Sequence, residues 1–483
     1  MLFNSWQFRI FLPVILILYF VLPKKVRHYA LLVASYFFYM YWNWELVFLI
    51  LGTTLVSYLA GLLIPKAQKK GWKIFFMVTA ILISVGVLVF FKYFDFMMNS
   101  VADIINMFGG NTKWNSLNLI LPVGISFYTF QTLSYVIDIY KGKIEPEKDF
   151  SYYALYVSFF PQLVAGPIER PENLLPQLKK EEGVNVNNLQ EGLLLVLIGF
   201  VKKIVIADMV GIFVNNIFNN LEAANGLVVL IGTGLFTMQI FCDFSGYSDI
   251  AKGVAKMFNI DLMVNFNHPY YSRSIKEFWT RWHISLSSWL RDYIYFPMGG
   301  NRKGKVRWAI NILVVFLISG IWHGANWTFV IWGLMHAVLQ ILEGIFHPLE
   351  QKVFTKHGWN YEAKWLNILR TIFTYVFVSL TWVAFRSNNI SDMLLAYKLI
   401  FTGWSNINVT SFIPITFFNI VLFVVAVPLF VTIEYLPRLR NLSFHGSSIF
   451  RKGVYVALMM LVVGAYIYLE GQDIGTSFIY FQF

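Results

Sequence analysis

The sequence is poor in charge and in cysteine. Charged residues make up 13% of its 483 residues and apolar residues 57%, whereas a typical soluble domain has about 25% and about 45–50%. This composition excludes a water-soluble globule. The single cysteine, Cys242, excludes both a disulfide framework and a multi-cysteine metal site.

Nucleotide and metal motifs are missing as well. The chain has no Walker loop, no dinucleotide-binding glycine pattern, no zinc-binding H-E-x-x-H and no CxxC pair. We therefore expect no bound metal and no tightly bound cofactor. A formal net charge of +12 would suggest nucleic acid for a soluble protein, but membrane proteins carry such an excess in their cytoplasmic loops. We expect membrane lipids around this chain and no nucleic acid.

What the sequence does contain is a series of apolar runs, each of about 20 residues, the length that crosses a bilayer as a helix. They predict an all-α polytopic membrane protein with about twelve crossings. The candidate spans are 8–23, 27–42, 45–64, 73–93, 117–140, 189–218, 226–243, 306–322, 326–346, 366–386, 412–434 and 452–469. Without a linker between them, we treat residues 1–483 as one membrane-embedded domain.

The positive charges predict how these spans are oriented. Alternate loops are rich in lysine and arginine, whereas residues 43–45, 219–225 and 470–483 contain neither. Because cationic loops stay on the cytoplasmic side, both ends of the sequence are expected on the extracellular side. The cationic loops hold Lys24, Lys25 and Arg27; Lys66, Lys69 and Lys70; Lys141, Lys143 and Lys148; Arg302, Lys303 and Lys305; and Arg438, Arg440 and Arg451.

Two stretches do not fit clean spans. Residues 150–180 contain Pro161 and Gly166, and both of their ends are expected on the cytoplasmic side, which predicts a re-entrant hairpin. Residues 265–300 are too charged to face lipid and too aromatic to lie in water. Trp282 and Trp289 lie seven residues apart there, which predicts an amphipathic helix at the interface or on the floor of a funnel.

The strongest candidate for chemistry is His323, within SGIWHGANW (residues 319–327). Ionisable side chains inside membrane segments are costly and often functional. Gly320 and Gly324 have the spacing that lets two helices approach closely. A buried imidazole without an anion stays neutral, which is the form that a general base requires. The alternative is a histidine that only holds helices together through hydrogen bonds.

Two further segments are candidates by position. His283 lies on the predicted interfacial helix, where a capping or interfacial role is the alternative. Asp243 lies in FCDFSGYSDIAKG (residues 241–253), where it could orient a histidine or pair with the arginines of 273–291. Helix capping with ion pairing is the alternative for Asp243.

The end of the sequence is unusually aromatic. The residues FIYFQF (478–483) follow a polar EGQDIGTS stretch, whereas ordinary chain ends are polar and frayed. We expect this tail either to dock back into the protein, with the Tyr480 hydroxyl at a site, or to act as an aromatic interfacial anchor.

At this point a resemblance becomes clear. The segments RWHISLSSWLRDYIYFPMGGNRKG and SGIWHGANW resemble the membrane-bound O-acyltransferase superfamily. Within it, VGISFYTFQTLSYVIDIYKG, FFPQLVAGPIERPENLLPQL and MQIFCDFSGYSDIAKG resemble the bacterial polysaccharide O-acetylation branch, which is related to teichoic acid D-alanyl transfer proteins. The resemblance covers about residues 118–346, by comparison of the motifs alone.

The resemblance implies a ring of transmembrane helices around a central funnel or tunnel, in a bacterial cytoplasmic membrane. The catalytic histidine of the family falls on His323 and its second functional histidine on His283. Trp322 and Asn326, beside His323, and Asp243 are expected to support this site. The implied chemistry is acyl transfer from a cytoplasmic thioester to a hydroxyl group.

The implied substrates and partners follow. Acetyl-coenzyme A or an acylated carrier protein would be the donor, bound by a set of cations: Lys276, Arg281, Arg291, Arg302 and Lys303. Tyr480 would accept the acyl group, and an extracellular SGNH-type esterase partner would pass it to a polysaccharide. A secondary transporter and a non-catalytic scaffold of the cell envelope are the alternatives, which transfer assays would distinguish.

Overall fold

The structure, a computed structural model, describes residues 1–180, 182–404, 409, 411–413, 428, 430, 448–471 and 478–479. Within these ranges the chain forms helices joined by turns and loops, and no β-strand occurs among them. This confirms the all-α polytopic class.

The α-helices begin and end at the following residues. They are α1 (Trp6–Val21), α2 (Arg27–Met40), α3 (Val47–Lys66), α4 (Lys70–Leu88), α5 (Phe94–Met107), α6 (Ile125–Tyr140), α7 (Phe150–Ser158), α8 (Phe160–Leu163), α9 (Pro171–Leu178), α10 (Val186–Phe200), α11 (Met209–Phe218), α12 (Gly226–Met257), α13 (Ile275–Arg281), α14 (Ile284–Leu290), α15 (Lys305–His323), α16 (Trp327–Lys356), α17 (Lys364–Arg386), α18 (Ile390–Thr402) and α19 (Ser448–Gly471). Segments of π-helix follow α4, α10 and α14, at Val89–Tyr93, Val201–Asp208 and Arg291–Tyr295.

Six helical stretches of the described residues are long and apolar enough to cross a membrane. They are Trp44–Lys66, Lys70–Met107, Gly226–Met257, Lys305–His323, Trp327–Lys356 and Lys364–Arg386. Trp6–Val21 and Tyr455–Glu470 are apolar but shorter. The protein is therefore a multi-pass membrane protein, while the expected count of about twelve crossings stays a prediction. Most of the predicted span 412–434 lies outside the described residues.

The chain forms two compact units. The first contains Met1–Val196 and Ser248–Met263. Its helices α7, α8 and α9 are short and interrupted, as the proline and glycine content of 150–180 predicts. In the predicted span 117–140 only the second part is helical, because α6 begins after Gly124, whose φ is +74° and whose α-hydrogen faces the Leu163 carbonyl too closely for a side chain.

The second unit contains Leu197–Tyr247 and Val264–Phe483. Its core is built on aromatic and branched side chains of α11, α12, α15, α16 and α17. The cap of α13 illustrates how its short helices begin: the Ser274 hydroxyl accepts the Glu277 N–H at 3.0 Å, and the Glu277 carboxylate accepts the Arg273 N–H at 2.8 Å.

The predicted single helix through Trp282 and Trp289 is wrong. Helix α13 ends at Arg281 and α14 begins at Ile284, with His283 between them in the left-handed region. The chain turns here because residues around Asn265 take the hydrogen bonds that would continue the helix. The Asn265 carbonyl accepts the Ile284 N–H, and the Asn267 N–H donates to the Arg281 carbonyl, both at 2.9 Å.

Candidate active site

His323 is the last residue of α15, and two glycines allow its close packing. A side chain at Gly320 would collide with the Phe329 carbonyl, and one at Gly324 with the Phe329 ring. The predicted close backbone approach is therefore confirmed at Gly320, whereas Gly324 lies beyond the end of α15 and meets a side chain. After Gly324, which is extended, the Asn326 side chain accepts the Thr328 N–H at 3.0 Å and starts α16. The structure shows Asn326 as the N-cap of α16, and its supporting role at the site stays a prediction.

Aromatic rings surround the buried His323 imidazole. The ring centroids of Trp322 and Trp332 each lie 5.0 Å from that of His323, and the Phe385 centroid lies at 5.4 Å. The side chain is 5% exposed. Trp322 therefore lies where sequence reasoning expects a supporting residue, whereas Trp332 and Phe385 were not singled out. In the sequence, these two residues only continue the apolar face of a helix. That pattern is the same at any core position, so it does not mark them as functional.

His283 occupies a strained position. Its φ of 43° and ψ of 54° lie in the left-handed region, which costs a non-glycine residue roughly 1–2 kcal/mol. The imidazole is fully buried, and its ring lies edge-on to Phe244 at 4.7 Å between centroids. Strain of this kind persists where surrounding contacts hold it and often occurs at functional sites.

One side chain fixes the proton on His283. Asn265 Oδ1 accepts the Ser285 N–H at 3.2 Å and the Ser285 hydroxyl at 2.7 Å, so this atom is an acceptor. The same oxygen lies 3.3 Å from His283 Nδ1, which therefore carries the proton. Burial lowers the pKa of His283 to about 3, so its ring is neutral at pH 7 and presents a lone pair at Nε2.

The two candidate histidines lie beside each other. The ring centroids of His283 and His323 are 6.4 Å apart, and Trp322 contacts both rings, at 5.7 Å from His283. They come from separate elements, the α13–α14 break and the end of α15. The structure thus brings together the two residues that the sequence selected independently.

A cavity of about 400 Å³ lies in the same unit between α13, α14, α15 and α16. Lys276 and Arg291 contribute cations to its lining and Glu343 a carboxylate that accepts the Ile275 N–H, while the apolar walls include Trp279, Trp308 and Phe316. The cavity therefore combines a charged part with an apolar part, as a phosphate-bearing thioester would require.

The cavity approaches the histidine pair without reaching it. Its lining includes Ile284, which follows His283, and Ser319, one helical turn before His323. Neither imidazole is among the described lining residues. The Ser319 hydroxyl is buried and has no hydrogen-bond partner among the described residues, which places a polar group at the inner wall.

The structure separates the five cations that were expected to bind the donor. Only Lys276 and Arg291 line the cavity. Arg281 does not line it and forms an ion pair with Glu277 at 2.6 Å; Arg291 also has a local partner, with 2.9 Å between its Nε and Asp292 Oδ1. Arg302 and Lys303 are exposed on the loop before α15. The closeness of these five cations in the sequence does not show which of them line the cavity.

Asp243 does not pair with the arginines of 273–291 in the contacts that the described residues show. It binds Lys203 instead, with 2.6 Å between Lys203 Nζ and Asp243 Oδ1, and its other oxygen accepts the Ile479 N–H at 3.0 Å. Phe478 and Ile479 are buried, so these two residues of the tail pack against the protein. Tyr480 lies outside the described residues. Lys203 was missed, although a lysine within the apolar run 189–218 is a signal for a buried ion pair.

The fold and these residues define the class: a helical membrane protein with a paired-histidine site next to a cationic cavity. Residues 147–385, which include both histidines, match the model of MBOAT, the membrane-bound O-acyltransferase family. The chain belongs to this family and is an acyltransferase.

Similar proteins include two O-acetylating enzymes. The chain is 37% identical over 408 residues to the probable alginate O-acetylase AlgI of Pseudomonas aeruginosa, covering 83% of this chain and 75% of that protein. It is 35% identical over 431 residues to the peptidoglycan O-acetyltransferase of Helicobacter pylori, covering 82% and 79%. A teichoic acid D-alanyltransferase of Bacillus subtilis is 31% identical over 275 residues, covering 54% and 67%.

Proposed function

We propose that this protein transfers an acetyl group from a thioester donor to a hydroxyl acceptor, as a step in the O-acetylation of a cell-envelope polysaccharide. The observation that carries the proposal is the His283–His323 pair, with ring centroids 6.4 Å apart beside a cavity that holds two cations. The names of the two similar O-acetylating enzymes support acetyl as the group and a polysaccharide as its destination.

In the proposed reaction, His323 acts as the general base. It takes the proton from the attacking hydroxyl, whose oxygen forms a bond to the thioester carbonyl carbon. The carbon–sulfur bond then breaks, and the thiolate leaves with the proton that His323 returns. His283, neutral and oriented by Asn265, accepts a hydrogen bond at Nε2 and positions the hydroxyl or the thioester. Because a thioester is already activated, positioning and one base supply much of the required acceleration.

The cavity is the proposed entrance for the donor. Lys276 and Arg291 would bind the phosphates of acetyl-coenzyme A or the acidic surface of an acyl carrier protein. The acyl end would reach the inner wall near Ser319, one turn from His323, with a small opening movement of the aromatic side chains. We place the protein in the bacterial cytoplasmic membrane, with this cavity on the cytoplasmic side and both ends of the sequence outside.

The proposed acceptor is the hydroxyl of Tyr480. The two residues before it, Phe478 and Ile479, are buried in the unit that contains the histidine pair, and this burial supports the proposal. An acetyl-O-tyrosine formed there would pass its acetyl group to an extracellular SGNH-type partner and then to the polysaccharide.

Purified protein in lipid vesicles provides the test. It is incubated with radiolabelled acetyl-coenzyme A or acetylated carrier protein, and label is followed into the chain and into an added hydroxyl acceptor. Label that moves into either, with release of free thiol, supports the proposal. A protein that binds these donors and releases no thiol with any acceptor would contradict it.

A further inference from the structure

A buried ion cluster lies in the same unit as the histidine pair and has no part in the reaction proposed above. Lys203 Nζ lies 2.7 Å from Asp208 Oδ1 and 2.6 Å from Asp243 Oδ1. The Lys203 side chain is 1% exposed and that of Asp243 2%. Such a cluster is costly to desolvate, so the fold gains little stability from it unless its remaining hydrogen-bonding capacity is used.

Two residues from the end of the sequence use that capacity. Asp243 Oδ2, the oxygen that Lys203 leaves available, accepts the Ile479 N–H at 3.0 Å. The Phe478 ring lies over the Lys203 ammonium, with 4.4 Å from Nζ to the centroid, and edge-on to Tyr247 at 5.0 Å. Asp243 thus accepts the backbone N–H of the segment, Lys203 lies against its aromatic ring and Tyr247 packs beside that ring.

The position of this contact relates it to the site. Asp243 precedes Phe244 on α12, and the Phe244 ring packs edge-on against His283 at 4.7 Å. Asp243, which holds the segment, is therefore the chain neighbour of the residue whose ring packs against His283. An interfacial anchor acts through its aromatic side chains. Such a role does not account for a backbone N–H that is buried against this carboxylate.

We propose that Lys203, Asp208 and Asp243 form a binding site for the segment around Phe478–Ile479, and that docking of this segment positions the adjoining residues for acyl transfer. The ligand class is a peptide with an aromatic side chain directly before the donated N–H. The positioning part of this proposal rests on the acyltransfer function proposed above. Lys203, Asp208 and Asp243 are positioning residues and take no part in bond making.

Amide hydrogen exchange on the full-length protein tests the docking directly. In the wild type, the amide of Ile479 is expected to exchange slowly. Asp243→Ala removes its acceptor while Lys203 keeps Asp208 as a counterion, and the unfolding transition of this variant checks that it is folded. Phe478→Ala removes the ring from Lys203, and Phe478→Tyr should restore it. Exchange at Ile479 should rise at least about tenfold in both alanine variants, as expected for a lost hydrogen bond.

A matched control separates this effect from general charge loss. Asp261→Ala removes a carboxylate from the exposed pair with Lys256, at 2.8 Å, and should leave Ile479 exchange unchanged.

Acetyl transfer, measured on the same samples, should fall at least about tenfold in Asp243→Ala and Phe478→Ala and return in Phe478→Tyr. Rapid exchange at Ile479 in the wild type would overturn the docking. Slow exchange in the wild type with full transfer in the undocked variants would overturn the positioning role. A wild type with slow exchange and no transfer would instead contradict the proposed function.

Discussion

Asn265 Oδ1 lies 3.3 Å from His283 Nδ1 and receives both the N–H and the hydroxyl of Ser285. This arrangement leaves the amide oxygen no role other than acceptor, so it holds the His283 proton on Nδ1. The neutral amide of Asn265 lies where a carboxylate would stabilise the protonated, positively charged ring. The site therefore keeps an uncharged imidazole in a strained backbone position.

Asn265→Asp tests this arrangement. A carboxylate at this distance raises the pKa of His283 from about 3 by about 1–3 units, because it stabilises the imidazolium. Since protonation removes the lone pair at Nε2, the acid limb of kcat/KM for acetyl transfer should move to higher pH. Asn389→Asp, at the exposed cap of α18, is the control. An unmoved acid limb in Asn265→Asp would show that His283 is not in the reaction.

The packing of α15 against α16 leads to a second prediction. Gly320→Ala places a methyl group against the Phe329 carbonyl and should destabilise the protein by about 1–3 kcal/mol and displace His323, lowering acetyl transfer. Gly234→Ala, in α12 of the same unit, meets open space and should be tolerated or slightly stabilising. Unfolding in detergent and transfer rates provide the measurements. Equal behaviour of the two variants would contradict the role of Gly320 in packing.

These examples indicate what the sequence could and could not predict. The close packing at Gly320 is a local pattern, and it was confirmed. The break before His283 was missed because its cause, Asn265, lies 18 residues away. Periodicity describes one segment at a time, so it cannot detect a hydrogen bond that another segment takes.

The same limit of sequence patterns explains why the partners of the charged residues were not predicted. Lys203 and Asp243 are 40 residues apart, and their pairing depends on how the helices pack. Among the five cations predicted to bind the donor, Lys276 and Arg291 line the cavity and Arg281 does not, although Arg281 and Arg291 both pair with a nearby carboxylate. Sequence patterns correctly predicted an all-helical membrane fold, and they selected two histidines that the structure places side by side, whereas the cavity could be found only from the tertiary structure.

The cavity leads to a third prediction, on donor affinity. Lys276→Gln and Arg291→Gln should each raise KM for the thioester donor about 5–30-fold with a smaller effect on kcat, because each removes a charge-assisted contact worth about 1–2 kcal/mol. Arg302→Gln and Lys303→Gln, on the exposed loop, should leave KM unchanged. A larger KM effect in the loop variants would move the donor site away from this cavity.

A fourth prediction concerns the acceptor. Tyr480→Phe removes the hydroxyl that accepts the acetyl group in the proposed relay, which has no other hydroxyl. Formation of acetyl-tyrosine, detected by mass spectrometry, should be abolished. Transfer to a polysaccharide acceptor should be abolished as well. Protein expression should be unchanged. Tyr41→Phe, at an exposed tyrosine, should behave as the wild type. Full transfer in Tyr480→Phe would remove the tyrosine relay and leave direct transfer to an external hydroxyl.

The central claim is that the imidazole of His323 removes the proton from the attacking hydroxyl. Its most direct test is the single-turnover rate of acetyl transfer from radiolabelled thioester, with donor binding measured on the same samples. His323→Ala should lower this rate by roughly 10²–10⁴-fold with donor affinity retained, whereas His347→Ala, at an exposed histidine, should match the wild type. Transfer at the wild-type rate in a folded His323→Ala protein would contradict the account.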